Sequence, residues 1–266
     1  MPNVKAIKAF GDKVDFGKTA SDYGRFRAGF PEDFFGRLAD QLAFSPGDTA
    51  LDIGTGTGTV ARGLARRGLA VSAVDPAPAL LREAAELDRA EGLVVDYREG
   101  RAENLEFADA SFDIVTAGQC WHWFDRRRAA REALRVLRPG AALVIAHFDW
   151  LPLAGNVVEA TEALIQQVNP VWTLAGGTGI YPEWLGDAAD AGFAALETRS
   201  FDIDQPYSHE AWCGRILASA GVSATLDEVE AMRFDARLRA LLGKSWPEDP
   251  LAIPHRVWWL VARRPG

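Results

Sequence analysis

Two short stretches hold residue types that could do chemistry. The first is LDIGTGTGTVA at 51–61, where Asp52 precedes Gly54, Gly56 and Gly58. Glycines at this spacing permit a tight turn and let a nucleotide-like ligand approach the backbone above a helix N-terminus. Asp75, followed by Pro76, comes 21 residues after Gly54, where a carboxylate closing a second strand can accept hydrogen bonds from ribose hydroxyls. The second stretch is GQCWHWFD at 118–125. His122 there can take up a proton near neutral pH. The faces of Trp121, Trp123 and Phe124 can exclude water and stabilise a developing positive charge. Neighbouring side chains point to different sides, so the four residues cannot all face one pocket.

From residue 49 the sequence alternates β-rich runs with helix-like stretches, the pattern of a parallel sheet covered on both faces. TALDIG is a first strand and TVARGLARRG its helix. LAVSAVD and PALLREAAELDRAEG repeat the unit, LVVDYREG and SFDIVTAG are further strands, and RRRAAREALRVLRPG is a helix closed by Pro139-Gly140 before the strand AALVIAHF. Beyond it come a helix near 154–168, a glycine-rich loop at 175–179, a helix near 182–191, a strand LETRSFDI, helices near 208–220 and 225–242, and a last strand RVWWLVAR. The expectation is a doubly wound α/β fold with a mostly parallel seven-stranded sheet and a C-terminal helical insertion. Residues 1–45 form an N-terminal helical cover, 46–150 the cofactor-binding core, and 151–266 the remaining strands with an acceptor-binding insertion, all within one structural domain.

Composition narrows the partners. A formal charge of −8 and a pI near 5.1 oppose nucleic acid and anionic membranes, which both attract a basic field. The arginines at 126, 127, 128, 131, 135 and 138 fall on a solvated helix face. Cys120 and Cys213 are the only cysteines, too few for a disulfide framework, and suit a reducing, cytoplasmic location. No apolar run reaches the ~20 residues of a membrane span. His147, His209 and His255 are scattered without metal-ligand spacing, so no metal is expected.

The turn also satisfies G-x-G-x-x-A over residues 56–61, with Asp75 19 residues after Gly56, which admits a dinucleotide. Asp52 weighs against it: a carboxylate beside the glycines repels a pyrophosphate and attracts a sulfonium or ammonium. In this register the sequence resembles the class I S-adenosylmethionine-dependent methyltransferases, whose first motif has an acid two residues before a G-x-G-x-G turn. GRAENLEF at 100–107, SFDIV at 111–115 and LRPGAAL at 137–143 extend the likeness over about residues 45–150, with Ala141 replacing a usual glycine. The loop resembles that of a small-molecule subgroup including the yeast-type trans-aconitate methyltransferases, where HWF follows the fourth strand.

The resemblance implies S-adenosylmethionine as cofactor and a role for each matching residue. Gly54, Gly56 and Gly58 pass its methionine part, Asp52 orients the turn or the ammonium, Asp75 with Pro76 holds the ribose, and Ala102 and Glu103 flank the adenine. Gly118 and Gln119 lie near the cofactor, and His122 faces the acceptor. Tyr23 and Arg27, in TASDYGRFRAGFP at 19–31, resemble a segment that covers the methionine end, with Ala28 where the subgroup has proline. Trp121, Trp172, Tyr181, Trp212 and Arg215 are candidates to bind a small-molecule acceptor, methylated at oxygen of a carboxylate or hydroxyl. A nicotinamide-dependent oxidoreductase and a non-catalytic cofactor-binding regulator are the alternatives.

Overall fold

The computed structural model describes residues 28–219, 221–222 and 225–266. Along them run α1 (Glu32–Leu42), β1 (Thr49–Ile53), α2 (Thr59–Ala65), β2 (Ala70–Asp75), α3 (Pro78–Glu91), β3 (Val95–Glu99), β4 (Phe112–Gly118), α4 (Arg126–Val136), β5 (Leu137–Trp150), α5 (Val157–Val168), α6 (Glu183–Ala191), β6 (Ala194–Tyr207), α7 (His209–Leu217), α8 (Glu228–Ser245) and β7 (Leu251–Arg263). The strands form one seven-stranded sheet in the order β3-β2-β1-β4-β5-β7-β6. β1 runs parallel to β2 and β4, β2 to β3, and β4 to β5. β7 is antiparallel to β5, since Gly140 N donates to Arg264 O and Leu151 N to Pro254 O, opposite directions along the two strands. The order reverses between β1 and β4, and a crevice at the carboxyl ends of such strands is where open α/β sheets take ligands.

Local chemistry sets most element ends. α3 begins on Pro78 and closes on Gly92 in a left-handed conformation (φ 69°). Asp125 caps α4 by accepting from Arg128 N at 3.3 Å. That helix was expected to run to Pro139-Gly140, yet it stops at Val136. A residue before proline is pushed out of the helical region, and Leu137 pairs with Phe112 instead. β6 and β7 are longer than the sequence suggested, because Pro206 and Pro254 sit inside them and read as breakers.

The chain divides into two compact units. The sheet unit comprises Gly29–Phe148, Tyr181–Phe201 and Val257–Gly266; the helical unit comprises Asp149–Ile180 and Asp202–Arg256 with Ala28. Each is gathered from separated stretches of the chain. In the sheet unit, Trp184 and Ala188 of α6 and Trp258 and Leu260 of β7 join Leu51, Ile53, Val115, Leu143 and Ile145 in one core. In the helical unit, Trp212, Ile216, Phe234, Leu238, Leu242 and Ile253 form another. Each large side chain so buried contributes about 1.5–3 kcal/mol. No helix among the described residues is long and apolar enough to cross a membrane.

Candidate active site

The turn after β1 is fixed from below and behind. Gly54 N and Thr55 N both donate to Val74 O of β2, at 2.8 and 3.1 Å. The fully buried Asp52 accepts from Thr55 Oγ1 and from Thr116 Oγ1 of β4, each at 2.6 Å. Desolvation pushes its carboxyl up to about 6. Both of its oxygens are engaged with the protein's own hydroxyls, so of the two roles implied for Asp52 the geometry matches orienting the turn. Asp75, at the end of β2, accepts from Gly56 N and Ala77 N, each at 2.9 Å, and burial raises its carboxyl above the usual range. Pro76 is exposed beside it.

The three turn glycines are left-handed but do different things. A Cβ on Gly58 (φ 77°) would lie 2.2 Å from Tyr97 Oη, and one on Gly54 (φ 66°) would lie 2.7 Å from Phe124 Cζ and 2.9 Å from Cys120 Sγ. Those two are small because the protein packs against them. Gly56 (φ 57°) would meet nothing within 4 Å, so the turn is open there. Behind it, Tyr97 donates to Asp88 Oδ2 at 2.8 Å, Arg62 Nε donates to Asp88 Oδ1 at 2.6 Å, and Arg62 Nη2 donates to Thr57 O at 3.0 Å. This buried pair buttresses the turn, and the sequence reading missed it. The available signal was an arginine inside the apolar run of α2.

The aromatic stretch forms one 3₁₀ turn, Trp121–Trp123. Trp121 is fully buried and donates through Nε1 to Asp187 Oδ2 at 3.1 Å, so the structure places it in the core, where it ties the turn to α6, and not on an open wall. Gln119 is left-handed (φ 59°), with its N donating to Ala146 O at 2.8 Å. A Cβ on Gly118 would lie 2.4 Å from Val60 Cγ2. Ala102 is buried, and Glu103 Oε1 accepts from Asp125 N at 2.9 Å, linking the stretch after β3 to the aromatic turn.

His122 is half-buried, its ring 4.7 Å from that of Trp123 and 5.3 Å from that of His147 on β5. The Tyr181 hydroxyl lies 3.2 Å from His147 Nδ1, and its ring stacks on Trp184 at 4.1 Å. Tyr181 thus joins His122 through His147, a residue that read as one of several scattered histidines. The other acceptor candidates belong to the helical unit. Trp172 is buried; Trp212 is fully buried, with Nε1 donating to Thr161 Oγ1 at 3.2 Å; Arg215 lies 4.7 Å over the Trp150 ring. Tyr23 and Arg27 lie outside the described residues.

These residues fit an adenosine bearing a cation. Gly56 leaves room over the turn, and each Asp75 oxygen spends one lone pair on an amide and keeps another for a hydroxyl. Two buried carboxylates beside the glycines would repel a pyrophosphate. Residues 51–145 match the methyltransferase domain family. That segment is similar to methyltransferase domains. An uncharacterised methyltransferase of Mycobacterium tuberculosis is 38% identical over 159 residues, 59% of this chain and 62% of the relative, so the chain spans under two thirds of that relative's length. The 27-O-demethylrifamycin SV methyltransferase of Amycolatopsis mediterranei is 29% identical over 80% of this chain and 77% of its own. Among solved structures, a candidate type II methyltransferase from Anaeromyxobacter dehalogenans superposes with a TM-score of 0.60 at 28% identity, covering 90% of this chain and 97% of that one. The matched segment coincides with β1 to β5, the part that carries the turn, Asp75 and His122.

Proposed function

We propose that the chain is a cytoplasmic S-adenosylmethionine-dependent methyltransferase of the small-molecule subgroup that includes the trans-aconitate methyltransferases, acting at oxygen of a carboxylate or hydroxyl. The observation that carries this reading is the Asp75 carboxylate, fixed at the end of β2 by Gly56 N and Ala77 N beside an open glycine turn. The net charge of −8 favours a small acceptor over nucleic acid or membrane. Oxygen as the accepting atom draws support from the Amycolatopsis relative, whose substrate is named as lacking a methyl at an oxygen.

Bound there, S-adenosylmethionine supplies an electrophilic methyl on a sulfonium. Asp75 holds the ribose, and the turn, braced by Asp52 and by the Arg62–Asp88 pair, sets the position of the methionine end. His122 holds the proton that an alcohol or phenol acceptor gives up at its imidazole nitrogen. Trp123 and Phe124 exclude water. Orientation can supply about 7–11 kcal/mol of such a barrier, more than a general base adds.

Calorimetry with S-adenosylmethionine, S-adenosylhomocysteine and NAD tests the reading. The parent protein should bind the first two, and Asp75→Ala should weaken them by about 1–3 kcal/mol, the cost of losing a partner to buried groups. Binding of NAD alone would turn the assignment to an oxidoreductase. Binding of S-adenosylmethionine without labelled-methyl turnover against a metabolite pool would leave a cofactor-binding regulator.

A further inference from the structure

A polar ring interrupts the most apolar strand of the sheet unit. Along β5, Leu143, Val144, Ile145 and Ala146 are buried, and His147 and Phe148 follow them, buried as well. An imidazole out of water must have its nitrogens hydrogen-bonded, a demand that an apolar side chain at the same place would not make. Its surroundings are aromatic. The His147 ring lies 4.7 Å from that of Tyr181, 5.7 Å from that of Trp184 and 5.3 Å from that of His122. Tyr181 is itself held on two sides, stacked on Trp184 at 4.1 Å with the planes 9° apart and edge-on to Trp258 at 5.8 Å. That packing keeps its hydroxyl 3.2 Å from His147 Nδ1. All five residues belong to the sheet unit.

A neutral imidazole has one nitrogen that donates and one that accepts, and the accepting nitrogen takes a phenol proton more readily than a phenol oxygen takes an imidazole one. The Tyr181 hydroxyl therefore donates to Nδ1, and the neutral His147 ring carries its proton on Nε2. His147 thus stands beside His122 in one orientation and one tautomer. Which nitrogen of a histidine bears the proton is set by the partner that the other nitrogen has. We propose that His147 is a positioning residue for His122: fixed by the Tyr181 hydroxyl, it sets which His122 nitrogen carries the proton and how that ring is turned. His147 is buried and acts only through His122. Tyr181 then has a task inside the unit, apart from any contact with an acceptor, because its hydroxyl is spent on Nδ1. What His122 does with its proton rests on the methyl-transfer reading; how its ring is held does not.

The test reads the imidazole nitrogens by NMR in the full chain carrying nitrogen-labelled histidine, with neither cofactor nor acceptor added, at about pH 8, above the ordinary histidine range. His122→Gln and His147→Gln assign the two rings. In the parent, His147 should show its proton on Nε2, and His122 should show a single tautomer. Tyr181→Phe removes the hydroxyl and keeps the stack on Trp184; it should move the His122 nitrogen shifts toward the averaged values of a free imidazole, with both tautomers populated. His147→Phe should do the same to His122, whereas His147→Gln, whose amide can donate and accept, should restore a single tautomer. His122 shifts that stay at their parental values in Tyr181→Phe would overturn the proposal, and that variant decides the matter even where His147→Phe does not fold. Averaged His122 shifts in the parent would overturn it equally. Calorimetry with S-adenosylmethionine on the same samples keeps the two readings apart: a chain that binds no S-adenosylmethionine can still show the tautomer effect, and one that binds it can lack the effect.

Discussion

Asp52→Asn probes the carboxylate that is most completely buried among the described residues. In the folded chain it lies between the hydroxyls of Thr55 and Thr116, and desolvation moves its carboxyl from 3.8 to about 6. Between those two values the unfolded chain has released this proton while the folded chain keeps it, so stability falls as pH rises through the window and the loss is complete above it. A shift of about 2 units at about 1.36 kcal/mol each amounts to about 3 kcal/mol at neutral pH. Asparagine keeps the shape and one acceptor oxygen, and a threonine hydroxyl can turn to accept from its amide. Urea unfolding of both proteins from about pH 4 to pH 8 gives the difference between them. Carboxylates remote from Asp52 titrate equally in the two and cancel; Asp75, which repels Asp52 through space, adds only a smaller change. The stability of Asp52→Asn relative to the parent should rise by about 3 kcal/mol from the acid end to neutrality and be level beyond. A difference that stays constant across the window would refute the reasoning, because the carboxyl would then titrate alike folded and unfolded.

Gly58→Ala should destabilise the fold by about 1–3 kcal/mol, since its Cβ meets Tyr97 Oη at 2.2 Å with φ at 77°; denaturant melts should show a smaller cost in a Tyr97→Phe background. His122→Ala should lower turnover of an alcohol or phenol by about 10²–10⁴-fold with cofactor affinity nearly intact. For a carboxylate acceptor, already ionised, it should raise KM more than it lowers kcat, and steady-state kinetics with both constants separates the cases. Transfer of a sulfonium methyl to an already anionic acceptor needs no Lewis acid, so turnover should survive EDTA; loss restored by magnesium would contradict this.

The glycine-turn half of the candidate site was legible because its signals are local. Gly54, Gly56 and Asp75 sit at chain punctuation that forces strand-turn-helix geometry, so the spacing alone locates a turn above a helix N-terminus and an acid beside it. What those glycines touch was not legible. That Gly58 clears Tyr97 and Gly54 clears Phe124 depends on how β3 and the aromatic turn close on β1, a tertiary fact with no local trace. The helix end at Val136 was recoverable from Pro139, whose effect on the residue before it outweighs the helical spacing of the alanines and leucines upstream.

The aromatic turn shows why residue type is a poor guide to which way a side chain faces. Trp121, His122 and Trp123 are adjacent, yet the 3₁₀ turn sends Trp121 into the core toward Asp187 and leaves His122 half-buried against His147. Successive residues on such a turn are about 120° apart, so only one of three aromatics can share the direction of the glycine turn. His122 meets His147 of β5, which in turn meets Tyr181 from the chain before α6, and parallel strands joined by crossovers bring together residues that no sequence window holds. The surroundings of His122 therefore rest on contacts that only the sheet order creates, while the glycine turn and Asp75 beside it are spelled out in the sequence itself.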